Sequence, residues 1–364
     1  MWQRRAFLKT AGAGFAAALL PQPAEALAEA ELLFATATQE TPGKFGARVL
    51  TETGRLIAKV DLPVRGHDVS YSPVSGRAVV FARRPGMFAV VFDPTGHEKP
   101  HTIACMPGRH FFGHGVFSPD GTVLYATEND FDNARGVIGI YDVAGGYRRI
   151  GEFDTFGQGP HEMILLPDGK TFAVANGGIE THPDFGRAEL NLEGIAPALA
   201  FIDATDGHLV GQLRLAAGLN MLSIRHMAVD AQGRIWFGCQ FRGDAAEHPQ
   251  LVGYATLDGD IRLIELPPEA LHGLRNYVGG LAVSADLETI AVSSPVGGSI
   301  LCIDAATARA GAVTLLRSTC GVAPDTTGFI AGDGLGDLVG FAGSNAPPQH
   351  FDIQFDEHLR LLRT

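Results

Sequence analysis

A short segment recurs along this chain: a β-rich stretch opened by histidine, a tight turn, and a second β-rich stretch. Its copies read His67-Asp68-Val69-Ser70-Tyr71-Ser72-Pro73, His114-Gly115-Val116-Phe117-Ser118-Pro119-Asp120-Gly121, His161-Glu162-Met163-Ile164-Leu165-Leu166-Pro167-Asp168-Gly169 and His226-Met227-Ala228-Val229-Asp230-Ala231-Gln232-Gly233. Weaker copies start near Gly280 and Thr319. His67, His114 and His161 are spaced by 47 residues, and His226 follows after 65, so the third repeat carries an insertion. Each copy runs on into further apolar, β-branched stretches with period-two alternation, and helical periodicity is nearly absent. Antiparallel strands at a period of roughly 45–50 residues are the signature of β-propeller blades.

The expected fold is therefore all-β: a seven-bladed β-propeller of four-stranded antiparallel blades, with six or eight blades as the alternatives. Second strands are expected over 122–127, 171–176 and 234–239, third strands over 137–142 and 198–203, and fourth strands over 147–153 and 209–215. The closing blade is built from both termini. Residues 32–38, 47–51 and 56–60 supply three of its strands, and 358–362 supplies the inner one. Pairing the termini closes the ring and removes a free sheet edge. The insertion falls over 177–197, between the second and third strands of its blade, where long loops carry function more often than decoration.

Residues 1–28 read as a twin-arginine signal peptide, the other reading being an uncleaved N-terminal anchor. Arg4-Arg5-Ala6-Phe7-Leu8-Lys9 has the export pattern, 11–20 is apolar but too short to span a bilayer, and Ala26-Leu27-Ala28 is a cleavage site. Residues 29–364 are then a single propeller domain, expected in the periplasm as a monomer with no membrane span. The full chain holds 28 Lys+Arg against 40 Asp+Glu, a net charge of −12. An acidic chain without a basic run excludes nucleic-acid binding, which needs clustered cations. Cys105, Cys239, Cys302 and Cys320 form no C-x-x-C pair, so thiolate zinc and haem attachment are not expected. The sequence leaves their disulfide state open.

In a propeller the first strand of each blade lines the central channel. His67, His114, His161, His226 and His358 each fall near the start of such a strand, so five of seven blades aim an imidazole at one channel mouth. The loops reaching the same mouth add Glu128, Asn129 and Asp130, then Asn176, Glu180 and His182, then Gln240 and Arg242; Glu162 adjoins His161, and Asn276 stands where the inner strand of a blade without histidine begins. Arg109, His110 and Arg225 lie just before inner strands. Crowded imidazoles disfavour one another's protonation and keep their lone pairs for a metal such as iron or copper. Two other readings stand beside the metal ring: a metal-free polar mouth, and histidines that only brace neighbouring blades. A one-residue difference in turn spacing after His161 requires a bulge if all five are to face the axis. No G-x-S-x-G elbow, EF-hand loop or nameable nucleophile is present.

Several longer motifs carry a resemblance. They are Gly108-Arg109-His110-Phe111-Phe112-Gly113-His114-Gly115, Thr127-Glu128-Asn129-Asp130, Arg135-Gly136-Val137-Ile138-Gly139, Gly159-Pro160-His161-Glu162 and Ala175-Asn176-Gly177-Gly178-Ile179-Glu180-Thr181-His182-Pro183. Ser223-Ile224-Arg225-His226, Arg275-Asn276-Tyr277-Val278-Gly279 and Cys320-Gly321-Val322-Ala323 complete the set. Together they resemble a bacterial family of twin-arginine-exported propeller proteins with no assigned activity, encoded in iron-uptake clusters beside imelysin-type proteins. The closing motif of that family bears a tryptophan where this chain has Phe355 in Phe355-Asp356-Glu357-His358-Leu359. The resemblance implies an accessory role in iron acquisition and an imelysin-type partner. The alternatives are a scaffold binding that partner or a small ligand, and a lactonase-like hydrolase, to which S-P-D-G propellers are also similar.

Overall fold

The computed structural model describes residues 21–362. The twin-arginine motif and the apolar run at 11–20 lie outside them. Seven four-stranded antiparallel sheets follow one another along the chain. Their inner strands are Gly66–Ser72, Arg109–Phe117, Pro160–Leu165, Leu222–Val229, Gly280–Val283, Thr319–Pro324 and Gln354–Leu362, here blades 1 to 7. Each inner strand packs on the next, and the seventh on the first, so the ring is closed. In blade 7 the C-terminal Gln354–Leu362 pairs with Leu33–Thr41, which continues into Lys44–Thr51 and Leu56–Leu62. The velcro closure expected from sequence is present.

Turn chemistry explains why the repeats fold alike. Asp120 accepts hydrogen bonds from the Thr122 amide and hydroxyl and from Ser118, and Gly121 sits at φ +69, a left-handed position that needs no Cβ. The cores lie between blades. Val79, Phe81, Phe111, Leu124 and Tyr141 fill the space between blades 1 and 2. Trp236 is fully buried and donates its indole N–H to Asp230, so it packs blades rather than offering a sugar platform. Cys105, Cys239 and Cys302 are free thiols, and burial pushes each of them up.

Among the described residues two α-helices depart from the all-β pattern: Pro21–Glu29 and Pro268–Leu274. The first contains the expected cleavage site. Its Ala26 and Leu27 are buried in the core of blades 7 and 1 in the uncleaved chain.

Candidate metal centre

The five histidines of the repeat meet inside the channel. His67, His161, His226 and His358 form a ring, with successive centroids 5.9, 4.8, 4.9 and 4.6 Å apart. His114 touches all four at 4.9, 5.0, 6.0 and 4.8 Å. All are buried except His161, which keeps partial exposure. Blades 5 and 6 supply no histidine, so the cluster leans on blades 1 to 4 and 7.

The bulge required by the uneven repeat spacing is found in every histidine-bearing blade. Pairing with the second strand jumps between Gly66 and Val69, Phe111 and Gly115, Pro160 and Glu162, Ile224 and His226, and across the residues opposite Thr36 to Thr38 in blade 7. Of the two blades without a histidine, blade 5 pairs without a jump and blade 6 shifts between Thr319 and Val322, so a bulge is not confined to histidine-bearing blades. A bulge releases one side chain from strict alternation and re-aims it, which is how histidines in different registers reach one axis. Three of them lie deeper than expected. His114, His226 and His358 sit in the middle of their strands, because the inner strands extend upstream to Arg109, Leu222 and Gln354.

Carboxylates back the imidazoles. His114 Nδ1 lies 2.9 Å from Asp68, and His67 Nδ1 lies 3.5 Å from Asp356. His226 Nδ1 is 3.4 Å from Glu162, without the alignment of a hydrogen bond. Burial alone would raise the Glu162 carboxyl, but Arg360 overrides it and holds the group at about 2. Asp68 is also held well below the usual carboxylate range, its burial outweighed by Arg360, His358 and His114. An ionised carboxylate only accepts, so Nδ1 of His67 and of His114 carries a proton, and His67, which burial keeps neutral, leaves its Nε2 with a lone pair. Arg360 donates to both acids, at 2.7 and 2.7 Å to Asp68 and 2.6 Å to Glu162. Burial pushes His67, His161, His226 and His358 toward the neutral form, His161 and His358 most strongly.

Orphaned nitrogens mark the cluster. Nε2 of His114, His226 and His358, and Nδ1 of His161 and His226, are buried with no hydrogen-bond partner among the described residues. Two triads, His67-His114-His161 and His114-His226-His358, each present ligand atoms within 4.8 Å of one another, and so does Asp68-His114-Glu162. Unpartnered imidazole nitrogens with carboxylates behind them fit a borderline divalent cation.

The other expected mouth residues divide into three groups. Arg225, Gln240 and Arg242 line a cavity whose floor is His67 and His161. Glu162 lies on the opposite side of the histidines with Asp68 and Arg360. The rest are used elsewhere. Arg109 pairs with Asp130 at 2.6 Å, and Glu128 accepts from Tyr141 at 2.5 Å and Arg149 at 3.0 Å. Asn129 bridges His110 and the Thr181 carbonyl; burial lowers His110 to about 4. Asn176 donates to the Thr155 carbonyl, and His182 caps the short turn Pro183–Phe185. Asn276 ties down its loop through Glu247, and Glu180 bonds through its backbone to Asn191. Sequence reasoning missed Asp68, Asp356, Glu357, Arg360, Arg83 and Arg84. The acid adjoining each of His67, His161 and His358 was a readable signal: a carboxylate one residue from a bulged histidine.

Solved structures with the same architecture include hydrazine synthase of Kuenenia stuttgartiensis, 15% identical over 85% of this chain and 95% of that one, with a TM-score of 0.61. The β-propeller domain of Cps50 (Swd1) from Myceliophteria thermophila is 9% identical over 82% and 93%, with a TM-score of 0.56. A chain of a mitotic checkpoint complex is 11% identical over 78% and 76%, with a TM-score of 0.54. At these identities the likeness is of fold alone. Among curated proteins, none matches the chain. Over residues 60–362, from the outer strand of the closing blade to its inner one, the chain belongs to the family described as protein of unknown function, DUF1513.

Proposed function

We propose that the protein binds a transition-metal ion, iron or copper, in its channel and serves an iron-uptake system of the periplasm. The observation that carries the reading is the set of orphaned imidazole nitrogens that four blades bring into one five-histidine cluster. Leaving such groups buried and unpaired is costly, so a fold that collects them in one place supports a ligand for them. His114 belongs to both histidine triads and is the residue most of the site depends on. Asp68 and Asp356 fix the tautomers of His114 and His67, and Arg360 fixes Asp68. When bound, the metal would supply a positively charged centre open to exchange or redox chemistry. No nucleophile is assigned, and the reading does not require turnover. Delivery to or from an imelysin-type partner is the role it favours.

The test is metal stoichiometry. Protein stripped with a chelator and titrated anaerobically with Fe(II), and separately with Cu(II), takes up one ion per chain, and His114→Ala weakens binding by roughly a hundredfold or more. Stripped protein that takes up neither ion at micromolar concentration overturns the proposal.

A further inference from the structure

Above His67 and His161, on the side away from Asp68 and Glu162, the channel opens into a cavity walled by arginine. Arg83, Arg84, Arg187, Arg225 and Arg242 line it, against one acid, Glu357. Arg83 is committed to Glu357 at 2.6 Å and Arg242 to Glu189 at 3.3 Å. Arg84, Arg187 and Arg225 form no ion pair or hydrogen bond among the described residues. Arg225 is the most telling of them. It is only 4% exposed, it faces the cavity, and its Nε is buried without a partner. An unpaired buried guanidinium is among the costliest groups a protein can hold. This one occurs in a chain with a net charge of −12, where acidic partners are plentiful. Gln240 and Tyr277 add neutral polar groups to the same wall.

We propose that this cavity is a binding site for a small multivalent oxyanion, of the polycarboxylate or phosphate type. Guanidinium groups present paired donors in a planar fork that matches carboxylate and phosphate oxygens, and several of them around one cavity select for more than one negative charge. The loop insertion at 177–197 then has a purpose. It is pinned by Asn191, which accepts from the Glu180 amide and donates to the Gly178 carbonyl, and it carries Arg187 over the mouth. The site does not depend on the metal reading, since its side chains bind the anion whether or not the imidazoles hold an ion.

The experiment uses the chelator-stripped full chain at low ionic strength, titrated calorimetrically with citrate and, separately, with inorganic phosphate. At least one binds with a one-to-one stoichiometry. Arg225→Gln and Arg84→Gln weaken it by about tenfold each, as expected for the loss of a charge-assisted contact. Arg187→Gln, on an exposed loop where folding is not at risk, weakens it by about threefold or more, and the exposed control Arg317→Gln leaves it unchanged. Tighter citrate binding assigns the site to polycarboxylates, and tighter phosphate binding assigns it to phosphate. No binding of either anion at about 5 mM, or affinity that Arg84→Gln and Arg187→Gln leave intact, overturns the proposal. Because metal is absent throughout, failure here leaves the metal proposal standing, and failure of metal uptake leaves this one standing.

Discussion

Arg360→Ala should separate the carboxylates that orient the histidines from the cation that holds them. The guanidinium makes three short bonds to Asp68 and Glu162, both 2% exposed. Its own side chain is 34% exposed. Removing one partner of a buried ion pair costs about 3–5 kcal/mol because the other charge is left uncompensated; partial exposure of the arginine lowers this to roughly 2–4 kcal/mol. At about 2.1 cal/mol/K per residue, a chain this long has an unfolding entropy of about 0.7 kcal/mol/K, so ~3 kcal/mol lowers Tm by ~4 °C. The effect carries a pH signature. Both acids have depressed values in the folded protein, Glu162 at about 2. Their contribution is therefore complete above their unfolded values near 4 and is lost as pH falls through the folded ones. In the variant the folded values rise, and the contribution at neutral pH shrinks. The gap between wild type and variant is widest near pH 7 and narrows between about pH 5 and 3. Chemical denaturation at pH 7, 5 and 4 measures it. A gap below about 1 kcal/mol at pH 7, or one constant across that range, refutes the argument that Arg360 holds two buried carboxylates ionised.

Gly113 lies at φ +102, and a Cβ there would sit 2.4 Å from His67 Cδ2. Gly113→Ala is expected to shift that ring and weaken metal uptake at least about tenfold while circular dichroism stays native; unchanged uptake would remove His67 from the ligand set. Glu128→Gln removes the charge to which the Tyr141 hydroxyl and the Arg149 guanidinium bond within blade 2. It should cost about 2 kcal/mol in denaturant melts and leave metal affinity unaltered, because Glu128 does not reach the channel. The exported protein should begin at Glu29 by N-terminal sequencing. It should melt roughly 1–3 °C below the uncleaved chain, since cleavage removes the buried Ala26 and Leu27.

The blades were legible because their signals are local. Asp120-Gly121 and Asp168-Gly169 turns, alternating apolar residues and a 47-residue spacing each sit within one repeat. The convergence of the histidines was legible for the same reason, since one residue per repeat is enough to define an axis. The depth of the cluster was not. It depends on bulges, which leave no residue-type signature in Ile224-Arg225-His226, although Gly113 at φ +102 marks the one before His114. Glu128 and Asp130 resemble mouth residues by loop position. The strand Val123–Asp130 runs further than its β-branched core suggests, and carries both into ion pairs with Arg149 and Arg109. Arg360 and Asp68 are 292 residues apart and meet only because the two termini share a blade. Arg83 and Arg84 follow the second strand of blade 1, Arg77–Ala82, in a loop position equivalent to the ones that yielded Arg242.

The channel is layered by charge: arginines, then imidazoles, then ionised acids locked by Arg360. That order constrains how a cation can arrive. Two unit charges about 6 Å apart at an effective dielectric near 20 interact by roughly 3 kcal/mol, and a divalent ion doubles this for each arginine it passes. A bare cation is therefore opposed on the arginine side and attracted on the side of Asp68 and Glu162. A metal carried by a polycarboxylate has the opposite preference, because the complex bears negative charge and offers the oxygens that guanidinium groups bind. The same arginines oppose protonation of the floor: Arg225 is among the causes that keep His161 neutral. On the two readings proposed here, one row of cations both captures the chelate and keeps the nearest imidazole free to take its metal.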